Sequence, residues 1–332
     1  MRGIRALRRE VPPSEEVAAS PGMSSPSAYC ASSRCSESDE ERDIPDSSNS
    51  VTSPEDSDCA VGAEEYAALH QPGYDWVDPR VKLPLLRFTR SAELATWRKR
   101  VDIIADTVDE RIVSVERVKR GDSVCHGREG HSHDFFYMYS TLVTDLHVCV
   151  PFDDFTMGVL RVLNVALSQL HPNSWVALQS FRLICCVLHL KPSPQVFLQY
   201  YSTRPGELAS WVSLVGQSHQ CLLVAYIQSF KRFKTGFFKV IIRSAGAEYF
   251  YCDDGTPKFP FYWTKSPTTY RTWLRESLTP EDRHTLSYLD QLPKKLSSKK
   301  IIGVFRSSHP RDELFGMYVY LAKCQGYDFN GG

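Results

Sequence analysis

The sequence predicts an α+β fold: a helix-rich domain with a small antiparallel sheet, preceded by a disordered acidic N-terminal arm. Three observations lead there. Apolar side chains recur at helical spacing from residue 153 to about 200, and capping residues and prolines divide them into segments. Short β-branched and aromatic runs follow Gly206. The stretch from Ser20 to Asp58 is Ser, Pro, Asp and Glu with almost no large apolar side chain. Such a segment cannot bury enough surface to offset its ordering entropy.

The 332 residues are 42% hydrophobic and 23% charged, the balance of an ordinary water-exposed protein with room for one large domain or two small ones. Thirty-nine basic and 39 acidic side chains cancel over the whole chain. The cancellation hides an asymmetry: the first 80 residues carry nine more acids than bases, and residues 135–310 carry eight more bases than acids. An acidic arm and a mildly basic body are implied. Four regions are expected: the arm over 1–62, a mixed helical and loop extension over 63–134, the main domain over 135–290, and a basic then mixed tail over 291–332.

Within the arm, "SESDEERD" reads as a solvated run, or as an interaction arm whose charge phosphorylation would deepen. The Arg-rich start "MRGIRALRRE" has a transit-peptide flavour, which Glu10, Glu15 and Glu16 contradict. In the extension, Leu94, Trp97, Val101, Ile104 and Val108 follow helical spacing. A Gly- and His-rich loop, "SVCHGREGHSHD", comes next.

The main domain opens on an aromatic cluster, "DFFYMY". Asp153 or Asp154 should cap a helix with the stripe Phe155, Val159, Leu160, Leu163 and Leu167. "QLHPN" interrupts it, and a second helix starts near Pro172 or Asn173, since a first-turn proline sacrifices no hydrogen bond. This helix is apolar on most of its circumference from Trp175 to about His189, so it should lie centrally. "KPSP" ends it, and Ser193 and Pro194 open a third, with Val196, Phe197, Tyr200 and Tyr201 inward. "WVSLVG", "CLLVAYI", "FFKVIIRS" and "EYFYC" read as strands of the sheet. "SPTTYRTWLRES", "TPEDRHTLSYLDQLP" and "DELFGMYVYLAK" read as helices.

Four features invite a chemical reading. "YCDD" over Tyr251–Asp254 has the look of a polymerase metal turn, whose paired carboxylates hold divalent ions. The "GTPKFP" that follows cannot form the flanking strand, so an ordinary turn is expected. Cys125, His126, His131 and His133 are zinc-type ligands, but their spacing fits no common site and a solvated loop is expected instead. "HPNSW" places His171 between apolar runs, where it more simply turns the chain between helices than performs chemistry. Finally, "FKRFKTGFFKV" interleaves Lys231, Arg232, Lys234 and Lys239 with Phe230, Phe233, Phe237 and Phe238. Bases stack on aromatics while cations hold phosphates, so Lys231, Arg232, Phe233, Lys234, Phe237 and Lys239 are the candidate nucleic-acid contacts. The competing reading is an edge strand with lysines on its wet face and phenylalanines in the core.

The ten cysteines are scattered, several in apolar runs, as expected of buried free thiols in a reducing compartment. No secretory h-region and no membrane span are read, which points to the nucleus or cytoplasm. GxxxxGK[ST], GxSxG, HExxH, DTG and DSG are all absent from the sequence. No catalytic residue, metal, cofactor or small-molecule substrate is assigned.

The pieces "FYMYSTLVTDLHVCVPFDDF", "VLRVLNVALSQLHPNSWVALQSFRLICCVLHLKPSPQVFLQYY", "ASWVSLVG", "FKRFKTGFFKV" and "FPFYW" are the distinctive part of the chain. Over roughly 135–290 they resemble the plant family described as putative gypsy-type transposon proteins. The ordered string P-F-x-x-F … L … A-x-S-Q-L-H-P-N-S-W carries the resemblance. It implies origin in a retrotransposon open reading frame and brings no catalytic residues. Family members often carry a long coiled-coil tail; here no heptads follow, an expectation of a truncated or host-adopted copy. The function expected is therefore a non-enzymatic, capsid-like or nucleic-acid-associated accessory factor, with RNA, single-stranded DNA or a second copy as partner. The alternative is a protein-interaction module with no nucleic-acid role.

Overall fold

The computed structural model describes residues 72–82, 87–105, 108–119, 121–204, 210–217, 221–224, 230, 233–270, 275–304 and 309–324. The expected acidic arm, residues 1–62, lies outside them, as do Lys231 and Arg232. The helices are α1 (Pro79–Lys82), α2 (Ser91–Arg98), α3 (Ser140–Thr144), α4 (Asp154–Leu163), α5 (Pro172–Val187), α6 (Pro194–Phe197), α7 (Ala247–Phe250), α8 (Pro280–Asp290), α9 (Ser298–Gly303) and α10 (Pro310–Cys324). The strands are β1 (Val113–Glu116), β2 (Phe135–Tyr139), β3 (Tyr201–Arg204), β4 (Ser213–Gly216), β5 (Leu223–Val224), β6 (Phe237–Ile242) and β7 (Leu296–Ser297). The helix-rich α+β fold with a small antiparallel sheet is the observed one.

Capping chemistry sets the helix starts. The Asp153 carboxylate accepts from the Thr156 amide at the head of α4. Asn164, in the left-handed region at φ 49°, ends that helix one turn before Leu167, which sits instead in a short 3-10 turn. His171 caps α5, with Pro172 in the first turn, where the sequence reading placed it. Ser193 caps α6 and Thr279 caps α8, each again followed by proline. The long α5 is buried around nearly its whole girth, and Trp175, at 1% exposure, donates from Nε1 to the Leu167 carbonyl.

The sheet differs from the expected one in membership. Its order is β1-β6-β2, antiparallel throughout, with Lys239 of β6 opposite Glu116 on one side and Tyr137 on the other. The "WVSLVG" strand pairs with β3; of "CLLVAYI", Leu223 and Val224 form β5, parallel to β7, and residues 225–227 lie outside the described residues. "EYFYC" is not a strand: Ala247–Phe250 continues a 3-10 turn as a single helical turn, which drives Phe250 into the ring cluster of Phe136, Phe259 and Phe261. A short aromatic run fits either conformation, and packing decides. The helix of the extension stops at Arg98; Ile104 bridges Val150, and "VSVE" becomes β1. The opening of "SPTTYRTWLRES", Ser266–Tyr270, is not helical, and is held where the Thr268 amide donates to the Leu163 carbonyl and the Tyr270 carbonyl accepts from Thr203.

Both faces of the three-stranded sheet are covered. Phe136, Met138, Phe238 and Val240 share one face, where Trp97 packs on Phe238 and Phe152 on Phe136. Phe135, Tyr137, Tyr139, Phe237 and Lys239 share the other. All five residues of β2 are buried, which explains why "FFYMY" does not alternate. No helix among the described residues is long and apolar enough to cross a membrane.

Candidate functional site

The candidate contacts converge on β6 and the turn before it, and the structure separates them. β6 is the central strand rather than an edge, while Phe233, Phe237 and Phe238 are in the core as the edge-strand reading expected. Lys239 is only 4% exposed, and its ammonium donates to the Asp122 carboxylate at 2.7 Å. It also lies 3.0 Å from His131 Nε2 and over the rings of Phe135 (4.7 Å) and Tyr137 (5.6 Å). A lysine so enclosed cannot reach a phosphate. Burial pulls its pKa below the ordinary lysine value, and the Asp122 carboxylate recovers part of the loss. Phe237 is equally unavailable for stacking, being buried edge-on against Tyr137 and Tyr139. Phe233 is buried among Tyr139, His171 and Trp211.

Of the described candidates, Lys234 alone stays exposed. Its ammonium sits 4.2 Å from the centre of the Trp211 ring, a cation–aromatic pair at a half-buried indole. Trp211 Nε1 donates to the Tyr139 hydroxyl, which ties this pair to the sheet. Trp211 lay in the strand-like "ASWVSLVG" and carried no separate signal; only its proximity to Lys234 marks it.

His171 adjoins the same pocket of rings. Its Nδ1 accepts from the Asn173 amide, its carbonyl accepts from Ser174, and its own amide donates to Val212. Burial, with Lys234 nearby, holds its pKa below the usual histidine value, so the neutral acceptor form suits the cap. His171 is thus a helix start locked onto the first residues of the β4 hairpin, as the turn reading expected.

The Gly- and His-rich loop is packed over the Lys239 face at Ser123–His126, where a solvated loop was expected, and exposed at Arg128–Gly130, Ser132 and His133. Cys125 and His126 are buried, and His126 Nδ1 accepts from the Ser123 amide. The Tyr74 hydroxyl accepts from the Gly127 amide and donates to Glu129. Asp134 closes the loop by accepting from the hydroxyls of Tyr251 and Tyr262, with Arg128 3.3 Å away. Among the described residues no group of three or more His, Cys, Asp or Glu is placed to hold a metal ion. Burial raises the Cys125 thiol to about 11, so it is a poor ligand or nucleophile at neutral pH.

"YCDD" is the expected turn. Asp254 accepts from both the amide and the hydroxyl of Thr256, and Gly255 takes the positive φ of +80° that the turn requires. Tyr251 and Pro257 bridge its base. Among the described residues, the Cys125 and Cys185 thiols are buried, those of Cys149, Cys221 and Cys252 partly so, and that of Cys186 is exposed.

Residues 140–205 match a family model described as "Putative gypsy type transposon". That span runs from the head of α3 to the end of β3 and includes the "QLHPNSW" joint, so the resemblance rests on the helical half of the domain. Comparison with the curated proteins and with the solved structures gives no match.

Proposed function

We propose that this chain is a non-enzymatic, retrotransposon-derived protein that works by binding, as a nucleic-acid-associated or capsid-like accessory factor. The observation that carries the reading is where the reactive side chains go. Lys239 is neutralised by Asp122 inside the sheet, His171 caps α5, Asp254 closes a turn and Asp153 caps α4. Each of these groups is engaged in holding the fold, and a surface is left to do the work.

The nucleic-acid contacts reduce to Lys234 with Trp211, together with Lys231 and Arg232 that flank it in sequence. The Trp211 ring holds the Lys234 ammonium in place, and this cation with its sequence neighbours Lys231 and Arg232 suits the phosphates of a single strand. The test is fluorescence anisotropy with labelled single-stranded RNA over a salt series. Affinity should fall with salt, by a slope of about 0.7 per phosphate contact, and Lys231/Arg232/Lys234→Ala should flatten that slope. A salt-independent response, or intact binding by the triple variant, removes the nucleic-acid role.

The burial of Lys239 and Phe237 favours a second reading, a protein-interaction module with no nucleic-acid role. Pull-down with and without nuclease separates the two. Partners that survive nuclease and the triple substitution belong to this reading.

A further inference from the structure

We propose that α10 is a self-association surface on which a second copy of this chain docks its own α10 antiparallel, about a twofold axis. The helix packs against α5 through one side, where Leu321 and Ala322 are buried and the Tyr318 ring meets His189 at 6.4 Å. The opposite side carries Asp312, Phe315, Gly316, Val319, Tyr320 and Lys323. At 100° per residue Asp312, Gly316, Val319 and Lys323 fall within about 60° of one another, with Phe315 and Tyr320 at the two edges of that face and Val319 half-buried. Phe315 is 68% exposed and Tyr320 52%, two of the three large apolar side chains most exposed among the described residues. Exposed aromatics framing one face of a helix mark a contact surface more often than a solvated one.

The order of residues along the stripe names the occupant. Reflected about the midpoint between residues 317 and 318, Asp312 meets Lys323 and Gly316 meets Val319, while Phe315 and Tyr320 hold opposite edges, where each ring lies beside the same ring of the second copy. A twofold contact needs this self-complementarity, since every pairing occurs twice. Opposite charges close both ends, and the aromatic pairs lie between them. The antiparallel arrangement also sets each helix's acidic first turn beside its partner's last turn, the favourable alignment of the two dipoles. Gly316 supplies a separate argument. A glycine inside a helix costs about 1 kcal/mol relative to alanine. A Cβ placed there would meet nothing within 4 Å, so no internal contact requires its absence. Close approach by the Val319 side chain of a second helix would.

A contact built on one helix face is smaller than the ~800 Å² per partner of a standard interface, so association in the micromolar range is expected. Sedimentation equilibrium of nuclease-treated full chain, over a micromolar concentration series, measures it. A monomer–dimer equilibrium is expected, and Phe315→Glu should weaken it at least tenfold with no change in circular dichroism or melting temperature. Asp312→Lys alone and Lys323→Asp alone should each weaken it by placing like charges together. The double variant Asp312→Lys/Lys323→Asp should restore it, because the swapped pair is again complementary. A chain that stays monomeric throughout, a dimer indifferent to Phe315→Glu, or a double variant no tighter than the singles overturns the proposal. Because nucleic acid is removed beforehand, this outcome is independent of whether the Lys234 surface binds RNA.

Discussion

Replacing Lys239 with methionine separates a buried structural cation from a phosphate contact. Methionine keeps most of the stem packed against Phe135 and Tyr137 and removes the charge that Asp122 meets at 2.7 Å. Breaking a fully buried pair costs about 3–5 kcal/mol, because the surviving charge is left without compensation. Here the two partners are unequal: the lysine side chain is 4% exposed and the aspartate 23%. Water can therefore reach the stranded carboxylate in Lys239→Met, and a loss of about 1–3 kcal/mol is expected. Asp122→Asn strands the ammonium instead, where water cannot follow, so it should cost more, about 3–5 kcal/mol. Combining both substitutions should cost less than their sum, since neither leaves a lone charge.

The assay is urea unfolding at neutral pH, with the midpoint shifting and the slope unchanged. A pH series adds a sign. Burial sets the folded pKa of Lys239 below its unfolded value, so the unfolded chain holds this proton more tightly. Stability from this group therefore rises as pH climbs from the folded value towards 10.5. Buried tyrosines, whose pKa values are raised, pull the other way as the unfolded chain ionises above about pH 10. The informative quantity is thus the difference between parent and Lys239→Met, which should widen the parent's advantage on the alkaline side. RNA binding by Lys239→Met should match the parent. Unchanged stability combined with weakened, salt-sensitive RNA binding would refute the burial argument outright.

The other predictions rest on single contacts. Trp175→Ala should destabilise the fold by ~3–5 kcal/mol, through the cavity and the lost Leu167 hydrogen bond, whereas His171→Ala should lose only the cap, ~1 kcal/mol, and leave binding intact; differential scanning calorimetry ranks the two. Gly246→Ala should cost ~1–3 kcal/mol, because its Cβ would collide with the Ile112 carbonyl next to β1; a melting temperature equal to the parent's contradicts that packing. Burial lowers the pKa of His126, with Asp122 and Glu129 opposing and Lys239 and Lys82 assisting, so stability present above pH 6.5 is lost as pH falls through the folded value. His126→Asn, which keeps an acceptor for the Ser123 amide, should shallow that acid-side loss in a urea-midpoint series; an identical pH profile would exclude His126 as its source.

What the sequence made legible was local. Asp153, Pro172, Ser193 with Pro194, and Thr279 with Pro280 each announce a helix start through local backbone hydrogen bonding, and each is one; the His171 cap itself was not read. The turn at Asp254 and Gly255 is equally self-contained. The misread segments were those whose conformation a distant partner decides. "FFYMY" and "VSVE" become strands because β6, about a hundred residues on, pairs with both. "EYFYC" turns helical because Phe250 has a socket against Phe136 to fill. Helical spacing from Leu94 to Val108 continued past Arg98 only as coincidence, since the chain there bridges to Val150.

Lys239 was misplaced for the same reason, and the misplacement has a readable signature. Lys239 belonged to a basic run, and in that company it looked like one more phosphate contact. Its nearer neighbours say otherwise: Phe237, Phe238, Val240 and Ile242 are all buried, and a strand apolar on both faces has no wet side for a lysine to occupy. One cation inside such a run must find a counter-charge, and the partner it found, Asp122, lies 117 residues earlier in a loop that composition made look solvated. The Gly- and His-rich segment and the lone lysine therefore explain each other. The segment folds over the sheet because Asp122 and His131 are needed at Lys239, and Lys239 is tolerated because that cover is there. Lys234, in a turn with Trp211 beneath it, faces no such demand and stays exposed.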